Sequence, residues 1–178
     1  MQGGQFQVAV REVIMKKARL EKVISGGQTG ADRAGLDAAL KCGIPVGGFC
    51  PQGRRAEDGA IPATYPLTET RSRSYDVRTR MNVRAADATL VLNLGELSSG
   101  TLYTVTYAAK RNKPCLVVQL DDAGHATPGM VMEWLSASAV RTLNIAGPRE
   151  GKAPGIYLLA VKFLGKVLEL GPGCCGKS

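Results

Sequence analysis

Four short stretches of this 178-residue chain hold the residue types that grip anions. The first is Ser25-Gly26-Gly27-Gln28-Thr29-Gly30-Ala31-Asp32, which follows a brief apolar run and opens an alanine-rich segment. Glycines in such a turn let the backbone come close to a ligand. The free amides of the helix that follows, with its dipole, favour a phosphate or carboxylate. Thr29 adds a hydroxyl donor, and Asp32 is a candidate acid or base. The same glycines also serve a tight turn that needs no ligand. The stretch is not GxGxxG, so it gives no support to nicotinamide dinucleotide binding.

The second stretch, Gly53-Arg54-Arg55-Ala56-Glu57-Asp58-Gly59, sets two guanidiniums beside two carboxylates. Arg54 and Arg55 can hold an oxyanion through paired hydrogen bonds, and Glu57 and Asp58 can bond a heterocycle or fix the arginines. A solvated loop of mixed charge is the plain alternative. The third is the run Arg71, Arg73, Arg78, Arg80 and Arg84, from which Arg78, with Thr79 beside it, is expected to reach the same anion as the glycine turn. The rest would form a solvated helix face. The fourth, Gly95-Glu96-Leu97-Ser98-Ser99-Gly100-Thr101, is again a strand-to-helix turn, so Ser99, Gly100 and Thr101 make a second cradle, although Ser and Thr there are also ordinary helix caps. The turn at residues 146–150 can complete the rim.

Composition sharpens the ligand class. Twenty-three Lys and Arg against fifteen Asp and Glu leave a net charge of +8, which favours anionic partners. Aromatics are only 5%, with no basic aromatic strand for stacking bases, so nucleic acid is disfavoured and a small anionic ligand leads. The single histidine, His125, excludes chemistry needing two imidazoles and reads as a surface residue in a polar loop. Five cysteines without a CxxC pair, Cys42, Cys50, Cys115, Cys174 and Cys175, point to reduced thiols and no metal site. The stretch at residues 171–178 spells GxxxxGK[ST], yet a phosphate loop works only ahead of a helix, so a mobile tail is expected. With no apolar run long enough for a membrane span, a cytoplasmic protein is expected.

The elements that must position these stretches alternate strand with helix. Short buried strands are expected at residues 23–25, 45–49, 89–94, 115–120 and 142–146, and helices at 31–42, 75–86, 101–112 and 130–138. A last helix at 156–168 carries Ile156, Leu159, Ala160, Phe163, Leu164, Val167 and Leu168 on one face. Such alternation predicts an α/β fold with a mostly parallel central sheet covered on both faces, whose ligands sit at the carboxyl ends of the strands. Residues 1–20 read as an N-terminal extension of no assigned function, 21–170 as the ligand-binding domain and 171–178 as the tail.

Taken in order, several of these pieces resemble the molybdenum cofactor carrier proteins. That family belongs to a Rossmann-like superfamily that includes the cytokinin-activating, lysine-decarboxylase-like phosphoribohydrolases. The resemblance runs over residues 22–164 and rests on Ile24-Ser-Gly-Gly-Gln-Thr-Gly-Ala-Asp-Arg-Ala34, Cys50-Pro-Gln-Gly-Arg-Arg-Ala-Glu-Asp-Gly59, Arg78-Thr79, Asn82-Val-Arg84, Ser99-Gly-Thr101 and Leu143-Asn-Ile-Ala-Gly-Pro-Arg-Glu150. It implies a single three-layer Rossmann-like domain, a homo-oligomer, expected as a tetramer, and the molybdenum cofactor (molybdopterin) as ligand. That ligand is a pterin with dithiolene-bound molybdenum and a terminal phosphate monoester. By the resemblance the phosphate falls on residues 26–30, the pterin edge suits Glu57, Asp58 or Asn82, and molybdoenzymes or cofactor-synthesis proteins become the partners. The phosphoribohydrolases carry PGGxGTxxE, whose acid assists N-glycosidic cleavage; here Thr104 stands in its place. The expectation is therefore a carrier without catalysis, with an enzyme or sensor of a nucleotide or nucleoside monophosphate as the alternative.

Overall fold

Val23, Leu90, Leu92, Leu143 and Ile145 are each at most 1% exposed, and they come from three neighbouring strands that form the centre of the molecule. The structure, a computed structural model, describes residues 20–121 and 126–171. The expectations for residues 1–19, for His125, and for the tail with its Cys174-Cys175 pair and GxxxxGK[ST] match fall outside the described residues.

Along the chain the elements are β1 (Lys22–Ile24), α1 (Ala31–Lys41), β2 (Val46–Gly47), β3 (Phe49–Cys50), β4 (Arg55–Ala56), β5 (Gly59–Ala60), β6 (Thr68–Glu69) and α2 (Tyr75–Ala85). There follow β7 (Ala88–Asn93), α3 (Ser99–Lys110), β8 (Cys115–Gln119), α4 (Pro128–Ala137), β9 (Thr142–Ala146) and α5 (Ile156–Glu169). Five strands make one parallel sheet in the order β2-β1-β9-β7-β8. Every residue of β7 is buried, as expected of an inner strand with both faces covered. This is the parallel α/β sheet that the alternation predicts, in the single Rossmann-like domain that the family resemblance implies.

Helices reach the sheet through small side chains. A methyl group on Gly35 would fall 2.6 Å from Cβ of Ile145, so α1 lies on β9 only because that position is glycine. Alternation along β9 turns Leu143 and Ile145 toward α1 and Asn144 the other way, where its amide donates to Thr89 at 3.2 Å. The apolar stripe of α5 buries Ile156, Ala160, Leu164 and Val167 beside α1. In α4, Pro128 opens the helix and the Thr127 hydroxyl accepts from the amide of Met130, which starts the helix two residues earlier than its apolar pattern indicated.

Two local departures matter for the site. The strand expected at residues 45–49 is broken at Gly48, whose φ of 125° ends β2 and sends β3 to pair with β6 in a separate parallel pair. A side chain there would strike the Ser25 carbonyl at 2.1 Å. The stretch around residues 53–59, expected to lack strands, contains the β4–β5 antiparallel hairpin, with Glu57 and Asp58 at its tip. Cys50 and Cys115 are free thiols, whereas Cys42 is disulfide-bonded, so the expectation of reduced thiols throughout does not hold. No helix among the described residues is long and apolar enough to cross a membrane.

Candidate functional site

The strand order reverses at β9. From β1 the chain crosses through α1 outward to β2, and from β7 it crosses through α3 outward to β8. The loops leaving β1, β9 and β7 therefore part at the carboxyl edge of the sheet, the place where open α/β sheets form their ligand crevice. A cavity of about 480 Å³ lies there. Gln28 and Asp32 border it from the β1 side, Ser98, Ser99, Gly100, Thr101 and Thr104 from the β7 side, and Gly147, Pro148, Arg149 and Lys152 from the β9 side. Tyr75, Asp76, Arg78 and Thr79 close it from the start of α2.

In the glycine turn after β1, three backbone donors are spent inside the protein. The Gln28 amide donates to Asp32 Oδ2 at 3.3 Å, the Thr29 amide to Gln28 Oε1 at 3.0 Å, and the Ala31 amide to the Pro148 carbonyl at 3.2 Å. Its glycines serve close approach. A Cβ on Gly26 would sit 1.9 Å from Arg78 Nη1, so this glycine is what lets the guanidinium lie on the turn. There Arg78 pairs with Asp32 at 2.9 Å, with Asp32 only 2% exposed. Burial pushes the Asp32 carboxyl above the usual range, while the Arg78 charge and the bonds from Gln28, Arg78 and Ser25 pull against it. The Arg78 guanidinium also stands 5.9 Å from the centre of the Tyr75 ring, and its Nε is buried without a hydrogen-bond partner.

At the second turn the arrangement is the reverse. Ser98 precedes α3 without capping a backbone amide of the helix; its hydroxyl pairs instead with the Thr101 hydroxyl at 2.9 Å. The Thr104 hydroxyl donates back to the Gly100 carbonyl at 3.0 Å. The first-turn amides of α3 therefore face the cavity with no side-chain cap, and the helix dipole adds positive potential at the same point. Lys152 has no ion-pair partner among the described residues, so its charge is available at that rim.

Residues 23–168 match the circularly permutated YpsA SLOG family, which covers most of the chain. The chain belongs to that family. A crystal structure of a putative molybdenum carrier protein from Syntrophus aciditrophicus is 44% identical, with a TM-score of 0.79, covering 84% of this chain and 95% of that one. A second structure, (E)-4-hydroxy-3-methyl-but-2-enyl diphosphate reductase, is 13% identical over 88% of this chain and 63% of that one; its TM-score of 0.36 carries no argument. No curated protein matches.

Within this family fold, the sequence-derived candidates separate into two groups. Gln28, Asp32, Arg78, Thr79, Ser99, Gly100 and Thr101 come together around the cavity. Gly26, Gly27 and Gly30 stand behind its wall as backbone of the turn; a Cβ on Gly30, at φ 77°, would meet the Pro148 carbonyl at 2.5 Å. Arg54 spends its guanidinium on the carbonyls of Ile61, Pro62, Tyr65 and Leu67, fixing the base of the β4–β5 hairpin. Asn82 bonds both the amide and the carbonyl of Phe49, tying α2 to β3. Asp58 pairs with Arg33, which holds its carboxyl below the usual range. Glu57 receives the Thr29 hydroxyl and lies outside the lining. Arg55 is exposed and stacks on Tyr75 at 5.6 Å from the ring centre.

Sequence reasoning missed Tyr75, Asp76, Tyr103, Thr104 and Lys152 as lining residues. A helical offset of four was the available signal for two of them: Tyr75 shares a face with Thr79, and Tyr103 with Ser99. No group of three or more His, Cys, Asp or Glu side chains among the described residues gathers to hold a metal ion.

Proposed function

We propose that this chain binds a small phosphorylated heterocycle at the carboxyl edge of its sheet, that the ligand is the molybdenum cofactor, and that the protein holds or carries it without transforming it. The observation that carries the reading is the uncapped N-terminus of α3 opening into a cavity of about 480 Å³ whose rim also presents Arg78, Arg149 and Lys152. The terminal phosphate takes the amides of Ser99, Gly100 and Thr101, where dipole and free donors coincide. The pterin edge lies toward Gln28, Asp76 and Thr79, polar groups suited to its donors and acceptors, and Tyr75 and Tyr103 supply aromatic walls. The likeness to the Syntrophus protein supports this choice of ligand over other phosphorylated heterocycles. Of the carboxylates considered as acid or base, Asp32 is tied to Arg78, while Glu57 and Asp58 lie off the cavity, which favours holding over hydrolysis. A cytoplasmic homo-oligomer, expected as a tetramer and serving molybdoenzymes or cofactor-synthesis proteins, belongs to the same proposal.

The test uses protein purified without oxygen from cells supplied with molybdate. Molybdenum is counted by elemental mass spectrometry and pterin by fluorescence after oxidative release. Near-stoichiometric amounts of both are expected. Protein empty of both, yet stabilised against heat by a nucleoside monophosphate, would overturn the reading in favour of a nucleotide enzyme or sensor.

A further inference from the structure

Glu57 sits at the tip of the β4–β5 hairpin with every part of its carboxylate engaged. Oε1 accepts from the Thr29 hydroxyl and from the Gly151 amide at 2.9 Å, and Oε2 faces Arg149 Nε at 3.3 Å. These bonds hold its pKa below the usual carboxylate value against the opposing pull of burial. Its own amide donates to Gln28 Oε1 at 2.9 Å. Glu57 therefore touches two residues that line the cavity while standing outside it. The approach is close: a Cβ on Gly151 would fall 2.8 Å from Glu57 Oε2, so a side chain there pushes the carboxylate from its place beside Arg149. The hairpin cannot yield, because Arg54 braces its base against four carbonyls and Asp58 anchors its tip to Arg33. Arg149 is the opposite case, with a side chain 41% exposed and no other ion-pair partner among the described residues. A long cation left free at a cavity mouth loses rotamer freedom when it meets a ligand, and a fixed carboxylate removes that cost beforehand.

We infer that Glu57 is a positioning residue for the anionic ligand: it acts through Arg149, holding that guanidinium at the rim, and does not itself touch the ligand. This rests on the cavity being the ligand site. The family resemblance offered Glu57, Asp58 or Asn82 to the pterin edge; in this inference Glu57 has a different task.

The experiment is a double-mutant cycle read by equilibrium dialysis, using as probe the molybdenum cofactor released from a purified molybdoenzyme, with molybdenum counted on each side. Glu57→Gln is expected to weaken binding about tenfold, the low end of what outer-shell partners contribute. In an Arg149→Ala background the same substitution should change affinity by less than about twofold. Gly151→Ala, which displaces Glu57 from Arg149 without changing any charge, should reproduce the Glu57→Gln loss, and it carries the test if Glu57→Gln fails to fold. A Glu57→Gln effect that persists undiminished in Arg149→Ala overturns the positioning role, because a ligand contact or a merely structural bond would not depend on Arg149. Binding that Gly100→Asp abolishes but that Glu57→Gln and Gly151→Ala leave intact sinks this inference alone. A wild-type protein that takes up none of the probe removes the cavity reading, and this inference with it.

Discussion

The turns after β1 and β7 look alike in sequence, each a glycine-containing strand-to-helix junction with Ser or Thr, and they hold opposite roles. In the first, the amides of Gln28, Thr29 and Ala31 are bound within the protein, and a buried ion pair locks the turn to α2. In the second, the amides of the helix start have no side-chain cap and open on the cavity. A helix N-terminus is thus a structural joint where the fold supplies its acceptors, and its amides stay open to an anion where the fold withholds them. The two regions should respond to mutation in different currencies: stability at the first turn, affinity at the second.

The largest expected effect lies at the joint. Arg78→Met leaves the buried Asp32 carboxylate without its cation and should cost about 3 kcal/mol at pH 8. Because burial raises the Asp32 pKa and Arg78 opposes that rise, removing Arg78 carries it higher. A carboxyl whose folded pKa exceeds its unfolded pKa takes up protons on folding, so the variant regains stability as pH falls through the folded value. Urea unfolding at pH 8 and pH 5 should show the deficit shrinking at the lower pH; a deficit equal at both would show that Asp32 is not what Arg78 neutralises.

Next comes Gly100→Asp, which sets a carboxylate at the start of α3. Nothing lies within 4 Å of a Cβ there, and an acid at a helix N-terminus is favourable. Thermal stability should hold or rise while affinity for the molybdenum cofactor drops about hundredfold through like-charge repulsion. Unchanged affinity in dialysis would move the phosphate away from α3.

Thr29→Val removes the hydroxyl that bonds Glu57 and receives the Glu150 amide at 3.3 Å. It should cost about 1 kcal/mol of unfolding free energy. Any loss of affinity should follow only through the Glu57–Arg149 contact. The smallest effect is Ser98→Ala. A helix-capping residue typically contributes about 1 kcal/mol, as expected for Thr127→Ala at α4. Ser98 makes no such bond, so its loss should cost only a few tenths of that in the same denaturation assay. A full capping loss at Ser98 would contradict the open helix start on which the anion site depends.

Much of this architecture was legible beforehand. The continuous apolar run of β7 and the 3.6-residue stripe of α5 report burial through their own periods, although Leu159, expected on that stripe, is 42% exposed. Gly48 was harder, because the break it makes is set by the carbonyl of Ser25, just past the end of β1. In the site, the residue types were readable and their assignments were not. Arg54 and Arg55 are neighbours in sequence, yet one braces a hairpin through four carbonyls and the other stacks on Tyr75.

The sequence by itself determined which segments form the main strands and helices, that the loops between them gather at the carboxyl edge, and that glycine, hydroxyl and arginine would meet there. Those properties follow from local spacing and from the handedness of parallel crossovers. Only the tertiary structure decided which donors remain free. The Ala31 amide donates to the Pro148 carbonyl, Arg78 Nη1 to Asp32, and the Gly151 amide to Glu57, partners 46 to 117 residues away along the chain. A hydrogen bond is satisfied by whatever acceptor lies within about 3 Å, and that proximity is set by how strands are ordered in a sheet, not by the order of residues along the chain.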